Sequence, residues 1–421
     1  MPNLLPTLAA AALLMGAPLP AIAQSKPAAT ATFKIDKARL DKALAQMVAG
    51  GHAAGVSALI WKDGREMYYG ENGVADREAN RPMRRDTLVQ IYSMTKPVTG
   101  VALMQLWEQG KFGIDDPLSR YLPEFATMLV EDGSGGWRPS TRPVLIRDVL
   151  RHTAGFAYGG GPSAAEKAFA EADPLGLDHD LTEFGHRLAH VPLMFDPGAR
   201  WSYSAAVDVQ ALLVEKLSGQ KFEDYVREHI LVPLGMKDSG WTQPDDRLAR
   251  FAATYLYGQD GKLTREDDKV TRQRNFPRPA MTMGGAGLVA SIDDYMRFAR
   301  MLLGQGSLNG VRILKPSTVR MMSTNMLDPR ITEKSWLPSK GNVGFGIDFA
   351  VRIGQPKDDQ ENRGAVGEFF WDGAASTLFW VDPANNLAAV FFVQTKPFQN
   401  ALHRDFRRAV YGDTYMGPAG D

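Results

Sequence analysis

Strand-forming sequence is concentrated at the two ends of this chain, and the long stretch between them is built differently. Near the start, GVSALIWKDG (55–64) and REMYYGENGVAD (65–76) read as two strands joined by a turn at Lys62-Asp63-Gly64. Near the finish, TLFWVDPANNLAAVFFVQT (377–395) holds two more β-rich runs, separated by Asp382-Pro383-Ala384-Asn385-Asn386. A helix precedes the first hairpin, with Leu40, Leu44 and Met47 at helical spacing and Gly50-Gly51 closing it. Another helix follows the second, from about Phe398 to Tyr411. Between Pro97 and about Arg278 the pattern is one of helical segments, such as DVQALLVEKLSGQ and FEDYVREHILVPLG, and of Gly/Pro-rich loops. This order predicts an α+β fold: an antiparallel sheet built from both chain ends and flanked by helices, interrupted by an inserted all-α domain. The expected division is 24–96 with 279–421 for the sheet domain and 97–278 for the mostly helical one, with a ligand cleft between them.

At 421 residues the chain is long enough to bury a deep site. Its 48 basic and 48 acidic residues cancel, and no long basic run occurs. Nucleic acid is therefore not an expected partner. Cysteine is absent, which removes disulfides and thiol chemistry. Residues 1–23 have an apolar core near Leu8 to Met15 and a small-x-small site at Ala21-Ile22-Ala23, the pattern of a cleaved signal peptide, although no Lys or Arg leads it. Pro18 and Pro20 interrupt it as a membrane span. The expectation is export to the periplasm or medium, with no membrane span in the mature chain.

The most chemical stretch is QIYSMTKPVTG (90–100). Pro97 is tolerated only where its missing amide hydrogen has no intrahelical partner, so it marks the start of a helix. Val101, Leu103, Met104 and Leu106 predict that this helix is buried. Ser93 then sits at the helix N-terminus, where a developing negative charge is favoured, and Lys96 lies one turn on along the same face. A lysine acts as a base only if burial or a nearby cation destabilises its ammonium form. The tetrapeptide alone does not decide between a helix start and a nucleophile with its base. Ser218-Gly219-Gln220-Lys221 has the same pattern at what reads as a helix C-cap, a structural setting.

Five segments, in order, carry a resemblance: YSMTKPVTGVALMQLWEQGK, RDVLRHTAGF, FDPGARWSYSAAVDVQALLVEKLSG, MGGAGLVASIDDYMRFARML and FFWDGAASTLFWVDP. From roughly Lys37 to Tyr411 the chain resembles serine hydrolases of the class C β-lactamase-like (penicillin-binding-protein-like) superfamily, and most of all the family VIII carboxylesterases. The resemblance implies a β-lactamase/transpeptidase-like fold and an acyl-enzyme on Ser93, with Lys96 and Tyr203 as general bases and no cofactor or metal. Tyr203 stands where the family has Tyr-x-Asn, but Ala205 replaces the asparagine. A phenol with a pKa near 10 could serve as a base only beside a cation such as Lys96, which would favour the phenolate. The family's Lys-Thr-Gly falls on Trp371-Asp372-Gly373, so an anion-binding lysine is replaced by an apolar ring suited to a neutral ester. Gly373 is expected to admit the substrate closely. The amides of Ser93 and Ala374 are implied as the oxyanion hole. The sequence offers no role for Asp372.

Competing signals are weaker. His186 and His190 have metal-ligand spacing, but Arg187 follows the first and no third ligand is visible. His152 is expected to belong to a loop leading into the cleft, and the nucleophile elbow G-x-S-x-G is missing. MGGAGL (283–288) reads as a tight bend back into the sheet domain. The expected activity is hydrolysis of short-chain acyl esters, a small-molecule substrate class. A β-lactamase or D-alanyl-D-alanine peptidase, and a non-catalytic binding protein on the same scaffold, remain as alternatives.

Overall fold

A computed structural model describes residues 33–276, 279–358, 360–413 and 415; the expected signal segment 1–23 lies outside them. The central sheet has eight antiparallel strands. The first chain end supplies β1 Gly55–Lys62, β2 Arg65–Asp76 and β3 Arg81–Pro82. The second supplies β4 Val343–Phe345, β5 Ala350–Arg352, β6 Phe369–Asp372, β7 Leu378–Asp382 and β8 Leu387–Val393. Their spatial order is β4-β5-β6-β7-β8-β1-β2-β3. The two ends join at β8 and β1, paired from Val56 with Val393 to Lys62 with Leu387.

Both faces of the sheet are covered, which explains why β7 and β8 are buried throughout instead of alternating. Neighbouring side chains point to opposite faces. Phe379 meets Tyr295 of helix α4 (Ile292–Leu303), and Trp380 meets Phe406 of helix α5 (Asn400–Tyr411). Helix α1 (Lys37–Ala49) packs on β2 and α5, through the predicted Leu40, Leu44 and Met47. Glu368, Arg352 and Arg407 are fully buried and lock α5 to the start of β6, with both guanidiniums bonded to the one carboxylate at 2.9 Å. Such a cluster is costly to break one member at a time, because the remaining charges stay buried.

Between the two ends lie helices α2 (Thr95–Glu108) and α3 (Ala206–Ser218), packed against each other. Helix α2 is buried almost all round, the mark of a core helix and not an amphipathic surface one. The stretch 97–278 also contains short strands. Tyr255–Tyr257 pairs with Leu263–Arg265 and runs parallel to Thr395–Lys396, so contact with the C-terminal strands begins ahead of residue 279. Among the described residues, no helix is long and apolar enough to cross a membrane.

Candidate active site

Ser93 lies in a single 3-10 turn, Tyr92–Met94, directly before α2. Tyr92 adopts a left-handed φ of 48°, a rare state for a bulky residue, and it must be held there by its surroundings. Several bonds do so. Ile91 N donates to the Leu288 carbonyl (3.0 Å), Thr95 Oγ1 to the Tyr92 carbonyl (2.6 Å) and the Tyr295 hydroxyl to the Met94 carbonyl (2.7 Å). The turn is thus fixed by both halves of the fold.

The predicted pairing of Ser93 with Lys96 is present: Lys96 Nζ is 3.3 Å from Ser93 Oγ. The amine is fully buried and also meets the Gly285 carbonyl at 2.7 Å and the Tyr158 hydroxyl at 3.3 Å. Burial lowers the Lys96 pKa to about 8, against the charges of Asp208, Asp348 and Asp372, which favour the ammonium. Burial also raises the pKa of Asp208, and that of Asp348 strongly. Gly285 is required here for space: a Cβ would lie 2.9 Å from Asp208 Oδ2 and 3.1 Å from Lys96 Nζ. The MGGAGL bend does lead back towards the sheet, and it also forms one wall of this site.

Tyr203 reaches the same place, but not in the expected state. Lys96 Nζ sits over its ring, 4.5 Å from the centroid, and not beside its oxygen. Burial pushes the phenol well above its ordinary value. Its hydroxyl lies near enough to Ser93 and the Trp371 indole to feel both, without a well-formed bond to either. The resting tyrosine is therefore protonated, because removing its oxygen from water outweighs any help from the cation. His152 stands behind it, ring centroids 4.9 Å apart, and takes a bond on Nδ1 from the Ser204 amide at 3.2 Å. Burial, with Lys96 nearby, keeps this histidine neutral.

The end of β6 forms the opposite wall. Trp371 packs 5.6 Å from Tyr203, and Trp336 packs 5.2 Å from Tyr203. Asp372 has a clear partner: it forms a buried ion pair with Lys340, whose ammonium also lies over the rings of Trp336, Trp371 and Phe398. Gly373 is needed for packing within the protein. A Cβ there would come within 2.4 Å of the Ile91 carbonyl and 2.3 Å of Thr377 Oγ1. The close approach seen here is between this turn and the backbone ahead of Ser93. Ala374 is exposed at the lip, beside Ser93.

Ser93, Tyr203 and Ala374 line two cavities at once. One, of about 350 Å³, is walled by Trp336, Lys340, Trp371 and Phe398. The other, of about 310 Å³, is walled by Tyr158, Trp241, Arg274, Met281 and Met283. Sequence reasoning missed Tyr158, Lys340, Asp208 and Asp348. Asp208 lies within the quoted WSYSAAVDVQ stretch, five residues after Tyr203, and Tyr158 stands two residues beyond the quoted RDVLRHTAGF; Lys340 and Asp348 are brought in by distant packing.

The remaining candidates fall elsewhere. Ser218 donates to the Val214 carbonyl at 2.6 Å at the C-terminal end of α3, where Gly219 caps the helix with φ 75°, as expected for a structural serine. His186 and His190 are exposed, and His190 Nδ1 donates to the His186 carbonyl at 2.7 Å. No cluster of three His, Cys, Asp or Glu suited to a metal ion occurs among the described residues.

A sheet from both chain ends, with a serine and a buried amine at the head of a core helix, defines a β-lactamase-like serine hydrolase. The chain belongs to the beta-lactamase family, whose model matches residues 40–412. It is 36% identical over 400 residues to esterase EstB of Burkholderia gladioli, covering 89% of this chain and 95% of the relative. It is 29% identical over 377 residues to monacolin J acid methylbutanoyltransferase of Aspergillus terreus, covering 83% and 88%. Among solved structures it is similar to EstCE1, described as a hydrolase with promiscuous acyltransferase activity, with a TM-score of 0.76 and 25% identity over 89% of this chain and 98% of that one.

Proposed function

We propose that this protein is a serine carboxylesterase that cleaves short-chain acyl esters through an acyl-enzyme on Ser93. The observation that carries the reading is the Lys96 amine, buried and 3.3 Å from Ser93 Oγ. A neutral amine has two N–H donors and one lone pair. The Gly285 carbonyl and the Tyr158 hydroxyl can take the donors, leaving the lone pair for the serine proton. Ser93 Oγ then attacks the carbonyl carbon, and the oxyanion rests on the amides of Ser93 and Ala374, where each such donor is worth about 3 kcal/mol. Tyr203, protonated at rest, gives its proton to the departing alkoxide; its phenolate then takes a proton from the attacking water, and the Lys96 ammonium returns its own proton to Ser93 Oγ as the acid leaves. Water enters by the same groups and releases the acid. Trp336, Trp371 and Phe398 supply the apolar surface for the ester. Export after Ala23 belongs to the same proposal, supported by the apolar run and the Ala21-Ile22-Ala23 site.

A second reading, acyl transfer to an alcohol, is favoured by two cavities meeting at Ser93 and by the names of the transferase relatives. For β-lactams, the family's anion-binding lysine is absent from β6. Lys340 supplies a cation close by, but Asp372 already neutralises it.

Purified enzyme with p-nitrophenyl butyrate and with nitrocefin, followed by turnover and intact mass, tests the assignment. We expect ester turnover to exceed nitrocefin turnover at least tenfold, with an acyl adduct in the mass spectrum. Faster nitrocefin turnover would move the substrate to β-lactams, and no turnover or adduct with either would leave a binding protein. The pH profile follows from Lys96. The amine is neutral only above its pKa, so kcat/KM should rise with pH through about 8 and then level off. A profile flat from about pH 6 to 9 would remove Lys96 from the base role.

A further inference from the structure

The two cavities at Ser93 differ in charge. In the first, the charged residues are Lys340 and Asp372, and they form one ion pair. In the second, the charged residue is Arg274, for which no carboxylate partner is found among the described residues. Its guanidinium lies 5.9 Å from the ring centroid of Tyr92, the residue next to Ser93. The rest of that cavity is apolar and aromatic, with Met281, Met283, Trp241 and Tyr158.

The backbone at Arg274 is held by its neighbour. The adjacent Asn275 is completely buried and makes three bonds: it accepts from Gln90 Nε2 at 2.6 Å, and it donates to the carbonyls of Trp241 at 2.7 Å and Gly287 at 2.9 Å. Gln90 lies three residues before Ser93, so the arginine's backbone is tied to the strand that presents the serine. A guanidinium in an apolar cavity is weakly hydrated and offers a planar fork of donors matched to a carboxylate.

We propose that the substrate is a carboxylate-bearing ester, its neutral part lying against Trp336, Trp371 and Phe398 and its carboxylate paired with Arg274. This rests on the esterase reading and narrows its substrate class. The carboxylate belongs to either the acyl or the alcohol half, and paired probes separate the two. Mono-p-nitrophenyl adipate is compared with its methyl-capped diester, and 4-butyryloxybenzoate with its methyl ester. In the wild-type enzyme one carboxylate should have a KM at least tenfold below that of its own capped form. In Arg274→Met that ratio should fall to about one, and Arg274→Lys should keep part of it, since a lysine retains the charge but not the fork. If neither carboxylate gains over its capped form in the wild-type enzyme, or if the gain survives in Arg274→Met, the proposal is overturned. The capped esters serve as internal reference: their turnover tests the esterase reading, and the ratio within each pair tests Arg274.

Discussion

Ser93→Ala is expected to lower ester kcat/KM on the order of 10⁵-fold, and Lys96→Met on the order of 10⁴-fold, while the double variant should be no slower than Ser93→Ala alone. The reasoning is that the serine and the amine act as one unit. Ser93 without a base at 3.3 Å is an ordinary alcohol, and Lys96 without the serine has no proton to take. What survives in either variant is catalysis by the amides and by binding, so the losses cannot add. Methionine is chosen for Lys96 because it fills a buried site of similar length without introducing a charge. A Lys96→Met enzyme retaining more than about a tenth of its activity would exclude the amine as base. An acyl adduct that still forms in Ser93→Ala would place the nucleophile elsewhere.

The second large effect is on stability. Lys340 and Asp372 are both nearly enclosed, with side chains 9% and 11% exposed. Replacing Lys340 by Met should cost about 3 kcal/mol, because it strands the Asp372 carboxylate beside Trp371; Asp372→Asn should cost about as much by stranding the ammonium among three rings. The double variant Lys340→Met/Asp372→Asn should recover most of the loss, since no buried charge then lacks a partner. Guanidinium unfolding midpoints at constant slope measure all three. Single variants within about 1 kcal/mol of the parent would mean that the pair behaves as a solvated surface contact.

These two predictions draw on different parts of what the sequence discloses. Ser93, Lys96 and their helix were legible because one turn of chain contains them and Pro97 marks its start. The sheet was legible because each hairpin announces itself locally. Lys340 was not, since only the path from Trp336 back to β4 brings it to Asp372, and nothing in either segment names the other. Tyr203 shows the limit more sharply. Its position followed from an ordered set of motifs, yet its protonation state did not, because that depends on how much water is removed from one oxygen. The same holds for Gly373, where the motif located the residue and the packing against Ile91 supplied the reason.

The pairing of β8 with β1 also has a meaning in time. Val56 and Val393 lie at opposite ends of the chain, so the middle of the sheet is the last part to be supplied during synthesis. Until then the first hairpin presents an unpaired edge along β1, open to wrong partners. The turn bearing Ser93 is equally incomplete, because the bonds from Leu288 and Tyr295 come from later sequence. Closing so long a loop before any reward is collected slows folding. The active centre therefore comes into being only when the whole chain is present, and no early fragment of it can carry a half-formed nucleophile.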